Sequence, residues 1–201
     1  LSYMGDGNKG YISTFTIDSS GNITAVKTQS EGNNLEHTAA PEGGSASAAI
    51  ESSSLVQVDS DTYALAYTGT DNDGFISTFT IDSDGNITAV KTHSEGNNFE
   101  HDTDNARNSS LVQVDSDTYM LAYASGVSPS GAISTVTIDS DGNITAVLTQ
   151  SEGNNLIHHT GQWTKFNSLV QVDSDTYALA YFANPSGHSS RGFITAFNIS
   201  T

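Results

Sequence analysis

The sequence predicts an all-β fold, a β-propeller built from four-stranded antiparallel blades of about 60 residues each. Three observations lead to this prediction. One phrase occurs three times, as SLVQVDSDTYALAY at 54–67, SLVQVDSDTYMLAY at 110–123 and SLVQVDSDTYALAY at 168–181. Side chains alternate along these phrases with the two-residue period of a strand, and no window carries a helical stripe. Clusters of Asp, Asn, Ser and Gly separate the alternating segments, as expected for turns.

A second repeated segment begins at a glycine in each unit. It reads GYISTFTIDSSGNITAVKTQSEGNN at 10–34, GFISTFTIDSDGNITAVKTHSEGNN at 74–98 and GAISTVTIDSDGNITAVLTQSEGNN at 131–155. We therefore predict one domain with three blade-equivalents. Its parts are the whole chain at 1–201, repeat units at approximately 10–73, 74–130 and 131–191, and a partial repeat at 192–201.

Each unit contains four alternating segments rich in Val, Ile, Thr, Tyr and Phe. Asp59-Ser60-Asp61 predicts a tight turn between the first two segments, and the DSDGN sequence at 82–86 predicts one between the last two. Both faces of the segments carry apolar or small side chains, so each sheet is expected to be covered on both sides. Stacked four-stranded sheets of this period are typical of a propeller.

Charge and composition exclude several partners. The chain carries 23 acidic and 6 basic side chains, a net charge of −17, which repels phosphate backbones and anionic lipid. We predict no nucleic-acid partner and no membrane insertion, since no apolar run approaches the ~18 residues that span a bilayer. There is no cysteine, which excludes disulfides and thiolate chemistry. The acidity favours a secreted or cell-surface location.

The repeats also resemble a known group of proteins. Units of the form S-L-V-Q-V-D-x-D-T-Y-A-L-A-Y followed by G-F-I-x-T-F-T-I-D-S-D-G-N-I-T resemble the repeats of large marine bacterial and metagenomic propeller proteins of unassigned function. They are more distantly similar to blades of sialidases and five-bladed glycosidases, whose aspartate-box motif S-x-D-x-G-x-x-W is echoed here without its tryptophan. The resemblance implies an innermost strand A at SLVQVD, then B at TYALAY, C at FISTFTI and an outermost D at NITAVKT.

Three blades do not close a ring, because propellers have about four to eight. The chain begins with strands C and D of one unit and ends with A, B and C of another. We therefore predict a homodimer that completes a six-bladed propeller, in which strand D of one copy joins strands A, B and C of the other. The alternative is a truncated fragment.

The predicted strand order sorts charge onto two ends of the sheets. One end collects 11 of the 23 acidic residues and no base, namely Asp18, Asp59, Asp61, Asp82, Asp84, Asp115, Asp117, Asp139, Asp141, Asp173 and Asp175. The other end carries 4 of the 6 bases, 5 of the 6 histidines and loops of varying length. Variable loops on a rigid scaffold are where binding usually occurs, so the second end is the predicted binding face.

Seven residues of that face are the candidate binding residues. Trp163 lies in the loop HHTGQWTKFN with His159 and Lys165, where an aromatic platform suits stacking against a sugar ring; a packing role for Trp163 is the alternative. Arg107 lies in the matching loop HDTDNARNS. Histidines recur at one position of each unit and either form a metal-binding ring or buttress their blades. These are His37, His101 and His158.

No metal and no cofactor is assigned from the sequence. No second ligand recurs beside the three histidines, so a structural role is favoured. The DSDGN and DNDG turns resemble fragments of calcium loops, which need five or more spaced oxygens. Asp, Asn and Gly favour turns for backbone reasons alone, and calcium at the acidic turns is therefore the alternative interpretation.

The resulting function prediction is a non-catalytic binding or scaffold module, with carbohydrate as the expected ligand of a secreted or surface protein. Near-identical units provide several weak equivalent sites whose avidity adds. A glycosidase-like enzyme is one alternative, using carboxylates among Glu36, Glu100, Asp102 and Asp104. However, Ile157 occupies the matching position in the third unit, and no catalytic residue is assigned. A purely structural repeat of a longer surface protein is the other alternative.

Overall fold

The computed structural model describes residues 1–4, 9–27, 35–36, 53–91, 99–126, 130–148, 156–161, 164–183 and 191–199. Within these ranges the chain forms strands and one 3-10 turn at Thr70–Asn72, with no α-helix, which confirms the all-β prediction. No helix in this part of the chain has the length and apolarity needed to cross a bilayer. The strands are β1 (Ser2–Met4), β2 (Gly10–Ile12), β3 (Thr14–Ile17), β4 (Ile23–Lys27), β5 (Leu35–Glu36), β6 (Ser54–Gln57), β7 (Thr62–Thr68), β8 (Gly74–Ile81), β9 (Ile87–Lys91), β10 (Phe99–Asp102), β11 (Arg107–Gln113), β12 (Thr118–Ser125), β13 (Ser130–Ile138), β14 (Ile144–Leu148), β15 (Leu156–His159), β16 (Thr164–Gln171), β17 (Thr176–Ala183) and β18 (Arg191–Asn198).

The strands form antiparallel sheets that repeat one order. In the first sheet β6, β7 and β8 are neighbours, and β9 and β10 both pair with the far edge of β8. The second sheet repeats this order with β11, β12 and β13, followed by β14 and β15. The third sheet contains β16, β17 and β18. The N-terminal strands pair as β1-β2-β5 and β3-β4, and are together called the N-terminal sheet.

The outer edge of each complete sheet differs from the prediction. The sequence predicted one outer strand at NITAVKT, whereas two short strands occupy that edge in the first and second sheets. The reason is length: β8 has eight residues and β9 has five, so β9 pairs only with the C-terminal half of β8. The additional strand β10 pairs with the remaining half, from Gly74 to Ile76.

Each sheet has two chemically different faces. In the second sheet Leu111, Tyr119, Leu121 and Tyr123 lie on one side, called the tyrosine face. The opposite side, called the valine face, carries Val112, Val114, Met120, Ala122 and Ile133. The names apply to the matching residues of the other sheets. Strand alternation places the two sets on opposite sides because successive side chains point in opposite directions.

The sheets stack with the tyrosine face of one on the valine face of the sheet before it. The valine face of the first sheet, with Ala64, Ala66 and Ile76, packs on the tyrosine face of the second. The valine face of the second sheet packs in the same way on Leu169, Tyr177, Leu179 and Tyr181 of the third. Ile12 of the N-terminal sheet packs on the tyrosine face of the first. A closed six-bladed ring stays a prediction.

Three kinds of hydrogen bond recur between stacked sheets, and each joins matching residues. A tyrosine hydroxyl donates to a valine carbonyl, a leucine N–H donates to a serine hydroxyl, and a threonine hydroxyl donates to a turn glycine carbonyl. The pairs are Tyr119 to Val58 (3.4 Å), Tyr177 to Val114 (3.4 Å), Leu111 to Ser54 (2.9 Å), Leu169 to Ser110 (3.0 Å), Thr14 to Gly85 (2.9 Å) and Thr78 to Gly142 (2.7 Å). These bonds give each interface one register in addition to apolar burial.

The threonine bond yields a test of this interface. Thr78→Val keeps the side-chain shape but removes the buried donor to the Gly142 carbonyl, so we expect the free energy of unfolding to fall by about 1–3 kcal/mol. Thr135 occupies the matching place in the second sheet, and no hydrogen bond of its side chain is found in the described part of the chain. Thr135→Val is therefore the control and should change stability little. Urea unfolding of both variants measures the difference, and equal losses would contradict the assignment.

Candidate functional site

The turns of each sheet gather at two ends, and hydrogen bonds show which turns share an end. The N–H of Ile81, at the end of β8, donates to the carbonyl of Asp61 in the β6–β7 turn (2.8 Å). Ile138 and Asp117 make the same bond in the second sheet (2.8 Å). The β6–β7 and β8–β9 turns therefore lie together, and this end is called the acidic end. The opposite end, called the loop end, carries the β7–β8 turn and the segments that lead into β11 and β16.

At the acidic end the first aspartate of each turn accepts hydrogen bonds from its own turn. The Asp59 carboxylate accepts the N–H groups of Asp61 (3.1 Å) and Thr62 (2.8 Å). Asp82 accepts the N–H groups of Asp84 and Asn86 (both 2.9 Å) and also the Asn86 side-chain amide (2.9 Å). The hydrogen bonds to Asp59, first the one from the Thr62 N–H and then the one from the Asp61 N–H, hold the pKa of Asp59 below its usual value. Asx turns thus account for the repeated DSD and DSDGN sequences.

The same geometry bears on the calcium alternative. A calcium loop turns five or more oxygens inward toward one point. Here the first aspartate of each turn directs its oxygens at backbone amides of the same turn. Across the described ranges no group of three or more His, Asp or Glu side chains is arranged to hold a metal ion. Calcium at the acidic turns stays a prediction.

The loop end of the first sheet carries a cluster of carboxylates, formed by Asp71, Asp73, Glu100, Asp102 and Asp104. Partial burial, and next the charge and hydrogen bond of Glu100, raise the pKa of Asp73 to about 6. Burial also raises the pKa of Asp102 to about 6, although its carboxylate accepts the Asp104 N–H (2.7 Å). The sequence indicated Glu100, Asp102 and Asp104 as candidate carboxylates. It did not predict that they lie close to Asp71 and Asp73 of the β7–β8 turn. The strand residue Glu36 lies on β5, opposite Tyr11.

Arg107 links the first two sheets beside this cluster. Its guanidinium donates from Nη2 to the side-chain oxygen of Asn72 (2.9 Å). The neighbouring Ala106 carbonyl accepts the Thr68 hydroxyl (2.7 Å), which ties the end of β7 to the start of β11. Arg107 and the adjacent Ala106 carbonyl thus connect the loops of two sheets, a structural role that the sequence did not predict.

His101 occupies a bulge in β10. The pairing of β10 with β8 shifts register between Glu100 and Asp102, which leaves His101 as the extra residue. Its buried ring lies edge-on to Tyr123 of the second sheet (centroids 4.7 Å apart), over Gly74, where any Cβ would overlap the imidazole. Burial lowers the pKa of His101 to about 3, so the ring is neutral.

His158 repeats this arrangement in the second sheet. Its ring lies edge-on to Tyr181 (4.7 Å) over Gly131, and burial, followed by the charge of His159, lowers its pKa to about 4. Each histidine thus fills its own slot between two stacked sheets. His37, the third member of the predicted set, lies outside the described residues.

An exposed aromatic side chain lies at the loop end of the third sheet. Phe166 sits in a bulge of β16 with φ 54° and is 76% exposed. Its ring meets that of Phe182 edge-on, with centroids 6.4 Å apart. Lys165, exposed, stands opposite Phe182 in the pairing of β16 with β17. Phe166, Phe182 and Lys165 are called the aromatic rim. Trp163, the predicted platform, lies outside the described residues.

His159 does not join this group. It contacts Tyr181 and Phe193, with ring centroids 5.6 Å away in both cases, and those two rings are themselves stacked (5.3 Å). Tyr181 belongs to the tyrosine face of the third sheet, whereas the next residue, Phe182, points to the valine face. The structure therefore separates His159 from Lys165, which the sequence had placed in one site.

Phe166 was missed at the sequence level although a signal was present. The matching bulge of β11 carries Asn108, with φ 57°. Asparagine tolerates this left-handed conformation, whereas a bulky residue there is an outlier. Aligning NARNSS with WTKFNS shows a phenylalanine in the place of that asparagine. The alignment does not show the bulge, which puts this phenylalanine in the left-handed conformation.

Comparison with known proteins informs the fold alone. No protein-family model matches the chain, and no curated protein matches it. A crystal structure of a protein of unknown function from Dyadobacter fermentans DSM 18053 superposes with a TM-score of 0.57 at 11% identity, covering 99% of this chain and 52% of that one. The chain thus spans about half the length of that structure. An endo-1,4-beta-xylanase from Bacteroides thetaiotaomicron VPI-5482 gives 0.46 at 16% identity, covering 100% and 71%, a likeness too weak to carry an argument.

The buried carboxylate of Asp102 predicts a specific pH dependence. Its folded pKa of about 6 exceeds the unfolded value, so the folded state binds more protons between about pH 4 and 6, and stability falls as pH rises through that window. Asp102→Asn keeps the acceptor for the Asp104 N–H and removes the charge. We expect a gain on the order of 1–2 kcal/mol at pH 7 and little at pH 4.

Thermal unfolding at the two pH values measures this difference. Asp84→Asn makes the same change of charge at an exposed turn and controls for the net charge of the molecule. A gain of equal size at pH 4 and pH 7 would show that ionisation of Asp102 is not the cause.

Proposed function

We propose that the protein is a non-catalytic β-propeller module that binds carbohydrate through the aromatic rim of its third sheet, as part of a secreted or cell-surface protein. Repeated antiparallel sheets stacked tyrosine face on valine face support the propeller. The observation that carries the binding proposal is the exposed Phe166 in a left-handed bulge.

The rim has the chemistry that sugar recognition requires. A flat aromatic ring stacks on the C–H face of a pyranose, while a nearby charged or polar group donates hydrogen bonds to its hydroxyls. Phe166 supplies an accessible ring, supported edge-on by Phe182. Lys165 supplies a donor beside it. The arrangement suits a ligand ring that has one apolar face and polar groups around its edge. A hexose has this chemistry, whereas a lipid or a nucleotide fits it less well.

Backbone strain favours a functional role for Phe166. A non-glycine residue in the left-handed region costs roughly 1–2 kcal/mol, and less for asparagine. The second sheet holds the same bulge with Asn108, so the fold itself does not require an aromatic ring there. Strained residues that the fold does not require are concentrated at functional sites.

A glycosidase-like activity is the second candidate, favoured by one observation. The Asp73 carboxyl, whose pKa is raised to about 6 by burial and by Glu100, has the property of a general acid. Hydrolysis of a glycoside also needs a second carboxylate on the other side of the bond. In the third unit Ile157 and His159 stand where Glu100 and Asp102 stand. Chromogenic glycosides, assayed with wild type and Glu100→Gln, test this candidate: turnover lost in the variant supports it.

Phe166→Asn separates binding from folding. It installs the residue that the matching bulge already carries, so we expect stability to rise by about 1 kcal/mol while glycan binding falls at least tenfold. A glycan array followed by calorimetry on the best ligand measures binding, and urea unfolding measures stability. Trp163→Ala, assayed alongside, tests whether the neighbouring loop contributes to the same site.

Asn108→Ala is the matched control in the second sheet. It should lower stability, because alanine tolerates the left-handed conformation less well, and leave binding unchanged. A wild-type protein silent on every glycan, or a Phe166→Asn variant that binds as well as wild type, contradicts the proposal. The structural repeat is then the better interpretation.

A further inference from the structure

The valine face of the third sheet is open. Ile194 is 81% exposed there, whereas the matching Ile133 and Ile76 are 5% and 0% exposed. Val170 and Val172, on the same face, are 56% and 61% exposed. In the first and second sheets this face is covered by the next sheet, and no described strand covers it in the third. The open face therefore has the composition of an internal interface.

A complementary surface is only partly used at the other end of the stack. On the tyrosine face of the first sheet Leu55 and Tyr63 are half-buried, whereas Leu111 and Tyr119 of the second sheet are buried. The reason is that the N-terminal sheet, which packs there through Ile12, contains no described strand that matches β6, β11 or β16. It covers the half of the face nearest β8 completely, whereas Leu55 and Tyr63 on the β6 side stay partly exposed, although β1 reaches that side through Ser2, whose Oγ lies 2.6 Å from that of Ser53.

The two surfaces also carry matching hydrogen-bonding groups. Between stacked sheets a tyrosine hydroxyl donates to a valine carbonyl and a leucine N–H donates to a serine hydroxyl. The third valine and serine of these series are Val172 and Ser168, on the open valine face. The third tyrosine and leucine are Tyr63 and Leu55, on the partly exposed β6 side of the first sheet. One pairing of the two surfaces brings both sets together.

The free edge of the third sheet is the remaining observation. Two short strands pair with the far edge of β8 and of β13, but no described strand pairs with that edge of β18. The histidines of those short strands lie over Gly74 and Gly131, whereas nothing lies within 4 Å of the Cβ position at Gly192. The matching short strands of the N-terminal sheet are β4, which pairs with β3, and β5, which pairs with β2.

We propose that two copies of the chain associate by replacing β1–β3 of each copy with the third sheet of the other. The valine face of β16–β18 packs on the tyrosine face of the first sheet of the second copy, and β4 and β5 of that copy pair with β18. Phe182 of the aromatic rim points to this same face, so a glycan and the second copy compete for it. Three strands of eight residues thereby replace strands of three, three and four, so more apolar surface is buried.

The symmetry of this exchange closes the assembly. Each copy offers one valine face and one tyrosine face, so two copies related by a two-fold axis make two identical contacts and leave neither surface open. Six five-stranded sheets result, and the edge of β18 gains partners in place of solvent. The occupant of the open face is thus a second copy of this same chain, recognised by the contacts that hold its own sheets together.

The test compares two variants, one that is expected to weaken the dimer and one that is expected to strengthen it. Sedimentation equilibrium of the 201-residue chain over a range of concentrations should give twice 21.1 kDa. Ile194→Lys places a charge on the open face and should give a monomer. Ile12→Asp loosens the N-terminal sheet from the surface that the second copy needs, and should therefore tighten the dimer several-fold.

Further variants make the contact specific. Tyr63→Phe removes the hydroxyl that meets Val172 and should weaken dimerisation about 3- to 10-fold. Ser174→Lys changes an exposed turn of the third sheet by the same charge as Ile194→Lys and should leave the mass unchanged. Circular dichroism checks that each variant keeps its strands. Ile194→Lys is expected to keep them because this side chain is exposed.

Two outcomes overturn the proposal. If wild type and Ile12→Asp both sediment as monomers at every concentration, a second copy does not cover the face. If the chain dimerises but Ile12→Asp weakens the dimer, the N-terminal sheet stays in place and supports the contact, so β1–β3 are not displaced.

Discussion

The structure depends on one contact, the packing of a tyrosine face on a valine face. Large side chains such as Tyr119 and Leu121 fill the space above the small Ala64 and Ala66, so the two faces fit because their sizes are complementary. The hydroxyl of Tyr119 then reaches the Val58 carbonyl and selects one register from many that apolar packing would accept. Because the same contact recurs between the second and third sheets, it also fixes where every loop emerges.

This scaffold gives its two ends opposite electrostatics from the same residue type. At the acidic end each turn wraps its own carboxylate in N–H donors, so ionisation is favoured and the pKa of Asp59 is lowered. At the loop end the bulge of β10 brings Asp102 into the space between sheets, where water is excluded and other carboxylates are close, and its pKa is raised. The difference arises from the turn geometry and from burial, since the residues carry the same group.

Much of the sheet structure could be predicted from the sequence, and the reasons are local. Two-residue alternation identified β6, β7, β8 and β9, and the DSD and DSDGN sequences identified their turns. The strand β10 was missed because FEHD is short, charged and bulged, and has no alternation to detect. The carboxylate cluster was missed as a unit because the β7–β8 turn and β10 meet only through tertiary pairing.

The binding residues show the same limit more clearly. Lys165 and His159 are six positions apart in one loop sequence, yet strand alternation around Tyr181 and Phe182 sends them to opposite sides of a sheet. A one-residue shift in register exchanges the two sides, and the sequence of a variable loop does not determine that register. The histidines recur visibly in the sequence, but their slots do not, because each imidazole lies over a glycine that only strand pairing brings close.

The two-faced sheet has a consequence for how such a chain grows. Every added unit brings one tyrosine face and one valine face, covers one open surface and presents an equal one in its place. The number of open surfaces is therefore two at any length, and duplication of a whole unit costs nothing in exposed apolar area. Selection against exposed apolar surface therefore does not depend on the number of units in a linear array. It acts only on whether the array closes upon itself.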